Sequence, residues 1–333
     1  MAGRSGCPPG NLSDFFCPMN LPDPFDPGPG EPADDLATTS GGPAGGPESR
    51  PADTPQTRSS AFRLAYLDPD FMLRKDLRPV RFQLELLKPD LILEEHGIDS
   101  TVVVFGSARV PNDGEAEAAL AAAEAASAGN PDDPRLTRAL AIARRLATHV
   151  RGYAAARRFG QLIAEFSKAH PGQELTIITG GGPGIMEAAN RGASEAGVKT
   201  AGLNIVLPHE QAPNPYLTPE LSFQFYYFAL RKMHFLMRAR ALVAFPGGFG
   251  TLDELFETLC LIQTGKSRRM PVLLYDSAFW TRLINFEMLV EEGMISPDDL
   301  DLFQFVDDAD EAFRIVTDYH LNNPPKRVGR GSV

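Results

Sequence analysis

Glu254 is a carboxylate standing where an anion ought to bind. It closes the segment Phe245-Pro-Gly-Gly-Phe-Gly-Thr-Leu-Asp-Glu254. Ahead of it, Ala241-Leu-Val-Ala-Phe245 reads as a short buried parallel strand, and after it Leu255-Phe-Glu-Thr-Leu259 reads as helix. A strand that passes through glycines into a helix presents backbone N–H groups at a positive helix terminus, which suits a phosphate. A carboxylate in the first turn of that helix does not help to hold an anion, so it is either a helix cap or a catalytic group. Thr251-Leu-Asp-Glu254 has the spacing of a capping box, and on the residues alone both readings stand.

A second loop of this kind lies upstream. Leu175-Thr-Ile-Ile-Thr179 is a predicted strand, followed by Gly180-Gly-Gly-Pro-Gly-Ile-Met186 and the helical pattern Glu187-Ala-Ala-Asn-Arg-Gly-Ala193. A third strand, Thr101-Val-Val-Val-Phe105, ends in Gly106-Ser107, another possible ligand loop. Glycine turns after strands are common, but two in one domain point to the crevice where open α/β sheets bind ligands. Neither loop has the Lys-Ser/Thr pair of a Walker motif. Neither has a dinucleotide fingerprint: the Gly180, Gly182, Gly184 spacing is wrong, and Thr200-Ala-Gly-Leu-Asn204 ends without an acidic residue. A mononucleotide is the expected ligand.

Arg231 and Arg238 are seven residues apart in a helical pattern that leads into the strand at 241–245. They are expected to share a face, either gripping phosphate bidentately or forming a solvated basic surface. The six histidines show no metal-ligand spacing, and no Gly-x-Ser-x-Gly elbow supports a serine hydrolase.

The elements that must position these groups alternate. Strands are expected at 101–105, 174–179, 199–205, 223–227, 241–245, 271–275 and 303–306. Helices are expected at 135–168 (interrupted near Gly152), 184–197, 229–240, 251–264, 278–292 and 309–321. This order predicts an α/β, Rossmann-like, doubly wound and mostly parallel sheet with helices on both faces. An alanine-rich insertion at 114–134 interrupts it. Twelve of the 29 prolines fall within the first 55 residues, a composition that cannot bury enough apolar surface to order itself. The expected organisation is a disordered tail at 1–60, a helical prelude at 61–99, the nucleotide-binding domain at 100–322 and a flexible basic tail at 323–333.

A net charge of −11 disfavours nucleic acid and anionic membranes as partners. The three cysteines have neither metal nor disulfide spacing. With no signal core and no run of membrane-spanning length, a cytoplasmic location is expected.

The chain resembles the Lonely Guy (LOG) family of cytokinin riboside 5′-monophosphate phosphoribohydrolases, long labelled lysine decarboxylases. The resemblance rests on Gly180-Gly-Gly-Pro-Gly-Ile-Met186, Arg231-Lys232 and Pro246-Gly-Gly-Phe-Gly-Thr-Leu-Asp-Glu254, covers about residues 100–320 and points to a longer, bacterial branch. It implies that Arg231 and Glu254 are the catalytic pair. It also implies that a nucleotide phosphate is held by Gly180, Gly181, Gly182, Gly184, Pro246, Gly247, Gly248 and Gly250. Thr251 would lie beside that phosphate, with Met186, Lys232, Gly106 and Ser107 as neighbours.

Such a protein would release free base and ribose 5-phosphate from a purine nucleoside 5′-monophosphate, AMP or an N6-modified AMP. It would need no metal or cofactor and would form a homodimer or larger homo-oligomer. A carboxylate would then stabilise a ribosyl cation or orient water, while remote phosphate binding orients the ribose. The alternative on the same fold is a non-catalytic carrier of a nucleotide or molybdenum cofactor. Pyridoxal-phosphate decarboxylation finds no Schiff-base lysine with a pyridinium partner.

Overall fold

A computed structural model of the protein describes residues 53–207 and 212–324. The disorder expected for 1–60 falls mainly on residues 1–52, and most of the expected basic tail on 325–333; both lie outside the described residues. The chain divides into two compact units, Met1–Leu84 and Glu85–Val333.

In the first unit, short 3-10 turns at Ser60–Phe62 and Ala65–Leu67 precede helix α1 (Pro69–Met72). Asp68 caps α1, its side chain accepting from the Phe71 N–H. Arg81 donates to the carbonyls of Met72 and Arg74. The prelude expected over 61–99 is thus mostly turns until α2 (Arg78–Glu95), whose residues from Glu85 onward belong to the second unit.

The second unit is built on seven strands: β1 (Thr101–Phe105), β2 (Thr176–Thr179), β3 (Ala201–Ile205), β4 (Ser222–Phe225), β5 (Ala239–Ala244), β6 (Val272–Tyr275) and β7 (Gln304–Val306). Their order is β4-β3-β2-β1-β5-β6-β7, and every pairing is parallel. β1, β2 and β5 are buried along their whole length, which is why apolar residues predominate in them, although threonines bracket β2 and Arg240 interrupts β5. The chain winds outward from β1 to β4, returns to the centre at β5 and winds out again to β7. The order therefore reverses between β1 and β5, the topological switch point where such sheets take their ligands.

The helices between them are α3 (Asp113–Gly129), α4 (Pro134–Thr148), α5 (Val150–Ala169), α6 (Ile185–Glu195), α7 (Phe228–Met237), α8 (Phe249–Gln263), α9 (Ser277–Leu283), α10 (Phe286–Glu291) and α11 (Ala309–Asn322). The alanine-rich insertion is itself helical, opened by a capping box between Asn112 and Glu115. The long helix expected at 135–168 breaks at His149, not at Gly152. Gly152 is buried inside α5, where the Ile185 side chain lies over it, so that glycine serves packing and not a break. α5 packs against α6 and α11. Gly160 and Gly192 permit the α5–α6 approach, since a Cβ on either would strike the backbone of the facing helix. No helix among the described residues is long and apolar enough to cross a membrane.

Candidate nucleotide site

Three loops meet at the carboxyl ends of the central strands. The Ser107 N–H donates to the Pro246 carbonyl at 3.0 Å, and the Ile185 N–H donates to the Ser107 carbonyl at 3.2 Å. Gly106 and Ser107, after β1, therefore join the Gly180–Gly184 loop after β2 to the Pro246–Gly250 loop after β5. A side chain on Gly106 would drive into Ile185, and one on Gly184 into the backbone of Ser107 and Ala108. Gly184 is the N-cap of α6 and Gly248 the N-cap of α8, and neither helix has a side-chain cap. Two helix N-termini, each with unbonded backbone donors and roughly half a positive charge, thus face the switch point.

A buried polar network holds the first loop. The Thr179 hydroxyl accepts from the Gly181 N–H and donates to Asn190 Oδ1. Asn214 Nδ2 donates to the carbonyls of Gly181 and Gly182 and to Asn190 Oδ1, and its own N–H donates to Gly181 O. Asn190 completes the network by donating to Thr200 Oγ1. Asn190 and Asn214 are both buried, so these bonds form in a low-dielectric interior where an unmade one would be costly. Sequence reasoning missed both asparagines. The one cue was Asn214 flanked by Pro213 and Pro215, an arrangement equally at home in any loop.

Arg231 lies over this loop. Its Nε donates to Leu203 O at 2.8 Å, and its guanidinium stacks on Phe235 at 5.2 Å. A Cβ on Gly180 would meet both the Arg231 Nη2 and the Met186 sulfur, and one on Gly182 would meet the Met186 methyl. The two glycines therefore leave room for an arginine and a methionine. Arg238 does not share the Arg231 face. It is the C-cap of α7, ion-paired with Asp90 and donating to Ile98 O, because the helix ends one turn earlier than the sequence pattern implied. At the other end of α7, the Glu85 carboxylate accepts from the N–H groups of Tyr226 and Tyr227. α2 thus fixes both ends of the helix that carries Arg231.

Glu254 is not a cap. α8 begins at Phe249, so Thr251 lies inside its first turn and Glu254 one turn further on. The capping box fails because the N-cap role has moved back to Gly248, where the chain leaves the strand. Thr251 instead folds against Gly247, whose missing side chain makes room for its hydroxyl. Glu254 is 6% exposed. Its backbone carbonyl accepts from the Thr258 hydroxyl, while no hydrogen bond reaches its carboxylate from the described residues. Burial raises its pKa to about 7, against the pull of Lys232 and Arg231. Burial also lowers the Arg231 pKa, which the Glu254 charge opposes, so the pair is electrostatically coupled.

Lys232 turns toward the α8 flank, pairing with Asp253 at 2.8 Å and Glu257 at 2.9 Å. Burial alone would lower its pKa, but those two carboxylates outweigh it and the pKa rises. The structure therefore brings Arg231, Glu254, Gly180 to Gly184, Met186, Gly106, Ser107, Pro246 to Gly250 and Thr251 to one edge, and engages Lys232 with acidic side chains.

Parts of this sequence are similar to known proteins. A family profile described as “Possible lysine decarboxylase” matches residues 186–316. A rice protein, probable cytokinin riboside 5′-monophosphate phosphoribohydrolase LOG4 of Oryza sativa subsp. japonica, is 27% identical over 164 residues, 48% of this chain and 70% of that one. Cytokinin riboside 5′-monophosphate phosphoribohydrolase LOG3 of Arabidopsis thaliana is 28% identical over 152 residues, 44% of this chain and 69% of that one.

Over residues 186–316 this chain is similar to that family, and just under half of it is similar to LOG proteins.

With the Arabidopsis LOG7 protein the identity reaches 40%, but over 68 residues, 31% of that relative's length. Among solved structures, a molybdenum cofactor carrier protein from Chlamydomonas reinhardtii aligns over 67% of this chain and 99% of its own, at 18% identity and a TM-score of 0.39. A molybdenum cofactor binding protein from Rippkaea orientalis aligns over 66% of this chain and 96% of its own, at 15% identity and a TM-score of 0.39.

Proposed function

We propose that this protein hydrolyses the N-glycosidic bond of a purine nucleoside 5′-monophosphate, AMP or an N6-modified AMP, giving free base and ribose 5-phosphate. One observation carries the reading. A buried carboxylate without hydrogen-bond donors among the described residues and a half-buried arginine, from different elements, are electrostatically coupled beside two uncapped helix N-termini.

In this reading the helix termini take the 5′-phosphate, and that binding energy orients the ribose. As the C1′–N9 bond breaks, its electron pair leaves with the base, which gains a proton. The ribosyl carbon becomes cationic. Ionised Glu254 stabilises that cation and accepts a proton from the water that adds to C1′. Arg231 holds the phosphate or the departing base. With its pKa near 7, Glu254 is part protonated at neutrality, so turnover should rise with pH to a plateau above about 7. The exposed Phe228, Met233 and Met237 of α7 and Phe249 of α8 support self-association as a homodimer or larger assembly.

The test is release of adenine from AMP by purified protein, compared with adenosine and with the Glu254→Gln and Arg231→Ala variants. The reading expects adenosine to be far poorer than AMP. It also expects each variant to lose on the order of a hundredfold in kcat while still binding AMP. Tight AMP binding with no turnover by the unaltered protein would favour a nucleotide carrier instead.

A further inference from the structure

At the opposite edge of the sheet, three arginines surround an open cleft of about 550 Å³, lined by Arg240, Arg268, Arg269, Tyr319, Asn323 and Pro324. No acidic side chain lines it. Arg240 is the informative member. It is 3% exposed and makes no ion pair with the described residues. A buried cation without a counter-charge is disfavoured strongly enough to need a reason.

Its position in the strand is also irregular. β1 pairs Thr101 with Ala239 and Val102 with Ala241, so the register slips across Arg240. Such bulges re-aim a side chain, and this one leaves an arginine facing the cleft from within an otherwise apolar strand. The side chain is held in place. Nε donates to His320 Nδ1 at 3.2 Å, Nη2 donates to the Asn323 carbonyl, and the guanidinium stacks on Tyr319 at 5.4 Å. His320 Nε2 meets Gln173 O at 3.1 Å, which fixes the proton on Nε2 and leaves Nδ1 to accept from Arg240.

The carboxyl end of α11 supplies Arg240 with about half a negative charge. Arg268 then faces it as a like charge, exposed and without a hydrogen bond to the described residues. Arg269, which donates to Asp301 O, adds a third cation. One end-of-helix dipole does not balance three guanidinium groups.

We propose that this cleft binds a phosphoryl-bearing anion at a site separate from the nucleotide site, with Arg240 as the preformed anchor and Arg268 closing over the ligand. Planar, fixed guanidinium groups match phosphate oxygens bidentately. The proposal does not depend on the reaction assigned to the other edge of the sheet.

Hydrogen-exchange mass spectrometry of the full chain, titrated with pyrophosphate, tests it. Saturable protection is expected over residues 266–273 and 318–324 by roughly 1 mM pyrophosphate, weakening as salt is raised. Arg268→Glu reverses an exposed charge that bonds to none of the described residues, so the fold should hold. It should weaken that protection at least tenfold and leave any protection at 180–186 and 247–252 unchanged. Absence of protection at 266–273 and 318–324, or protection there that Arg268→Glu does not alter, overturns the proposal.

Discussion

The two glycine loops face the same crevice but are made in opposite ways. In the loop after β2 the glycines are required by the protein itself. Gly181 and Gly184 have positive φ, and a side chain on Gly180, Gly181, Gly182 or Gly184 would strike Arg231, Asn204, Met186 or the Ser107–Ala108 backbone. Two buried asparagines bond the loop from behind. In the loop after β5, Gly247 makes room for Thr251, but a side chain on Gly248 or Gly250 would meet nothing, and neither has a positive φ. Phe249 between them is 92% exposed. The folded chain does not need glycine at 248 or 250, so their smallness is available to a bound group. The first loop is an over-determined cradle. The second is an open approach, with Glu254 one turn behind it.

That contrast can be broken most severely at Gly184. Its φ of 72° and ψ of −130° lie in a region that side chains avoid, and a Cβ would overlap backbone of the β1 loop. Gly184→Ala should therefore destabilise the protein by on the order of 4 kcal/mol, read as a fall in the urea midpoint. A loss under 1 kcal/mol would show that the cradle gives way easily.

The second loop should show the reverse behaviour at Glu254. A folded pKa of about 7 against 4.5 for the free group means that the folded state holds a proton that the unfolded chain has lost. Stability from this group is full below pH 4.5, declines as pH rises through that window, and levels off above about 7. Glu254→Gln lacks this penalty. It should be more stable than the parent at pH 8 by up to about 3 kcal/mol, with the gain vanishing near pH 4. Thermal melts of both proteins from pH 4 to 8 measure this. A gain independent of pH would remove burial of charge as its cause.

The smallest effect on folding is expected at Gly248→Ala. Its φ of −99° suits alanine and the space is open, so stability should change by no more than about 0.5 kcal/mol. The KM for AMP should nevertheless rise several-fold while kcat is nearly kept, because the methyl group crowds the phosphate and not the ribosyl carbon. An unchanged KM would mean that the open loop is not where the phosphate lies.

Much of the fold was legible because strand and helix patterns are local. Each of the seven expected strands overlaps an observed one, and the apolar run at 241–245 correctly implied a buried strand. The failures have a common origin. Arg231 and Arg238 share a periodicity, but a helix ending at Met237 sends Arg238 to Asp90, and periodicity does not reveal where a helix stops. The capping box at Thr251 was the right spacing in the wrong register, since α8 starts two residues earlier than Thr251. Asn190 and Asn214 carry no sequence signature, because a buried amide is recognisable only by what it bonds.

By itself the sequence determined which segments turn on glycine between strand and helix, and hence that an anion would be met by backbone donors. It also determined the alternation that makes the sheet parallel. Tertiary structure alone decided that Glu254 is a buried carboxylate without hydrogen bonds from the described residues, coupled to Arg231, and that Lys232 turns instead to Asp253 and Glu257. It also placed Arg240, Arg268 and Arg269 around one cleft. The reason is range. A turn or a helical face is set by neighbours within a few residues, whereas burial and the field at a charged group depend on elements far apart in the chain that meet only when the sheet is assembled.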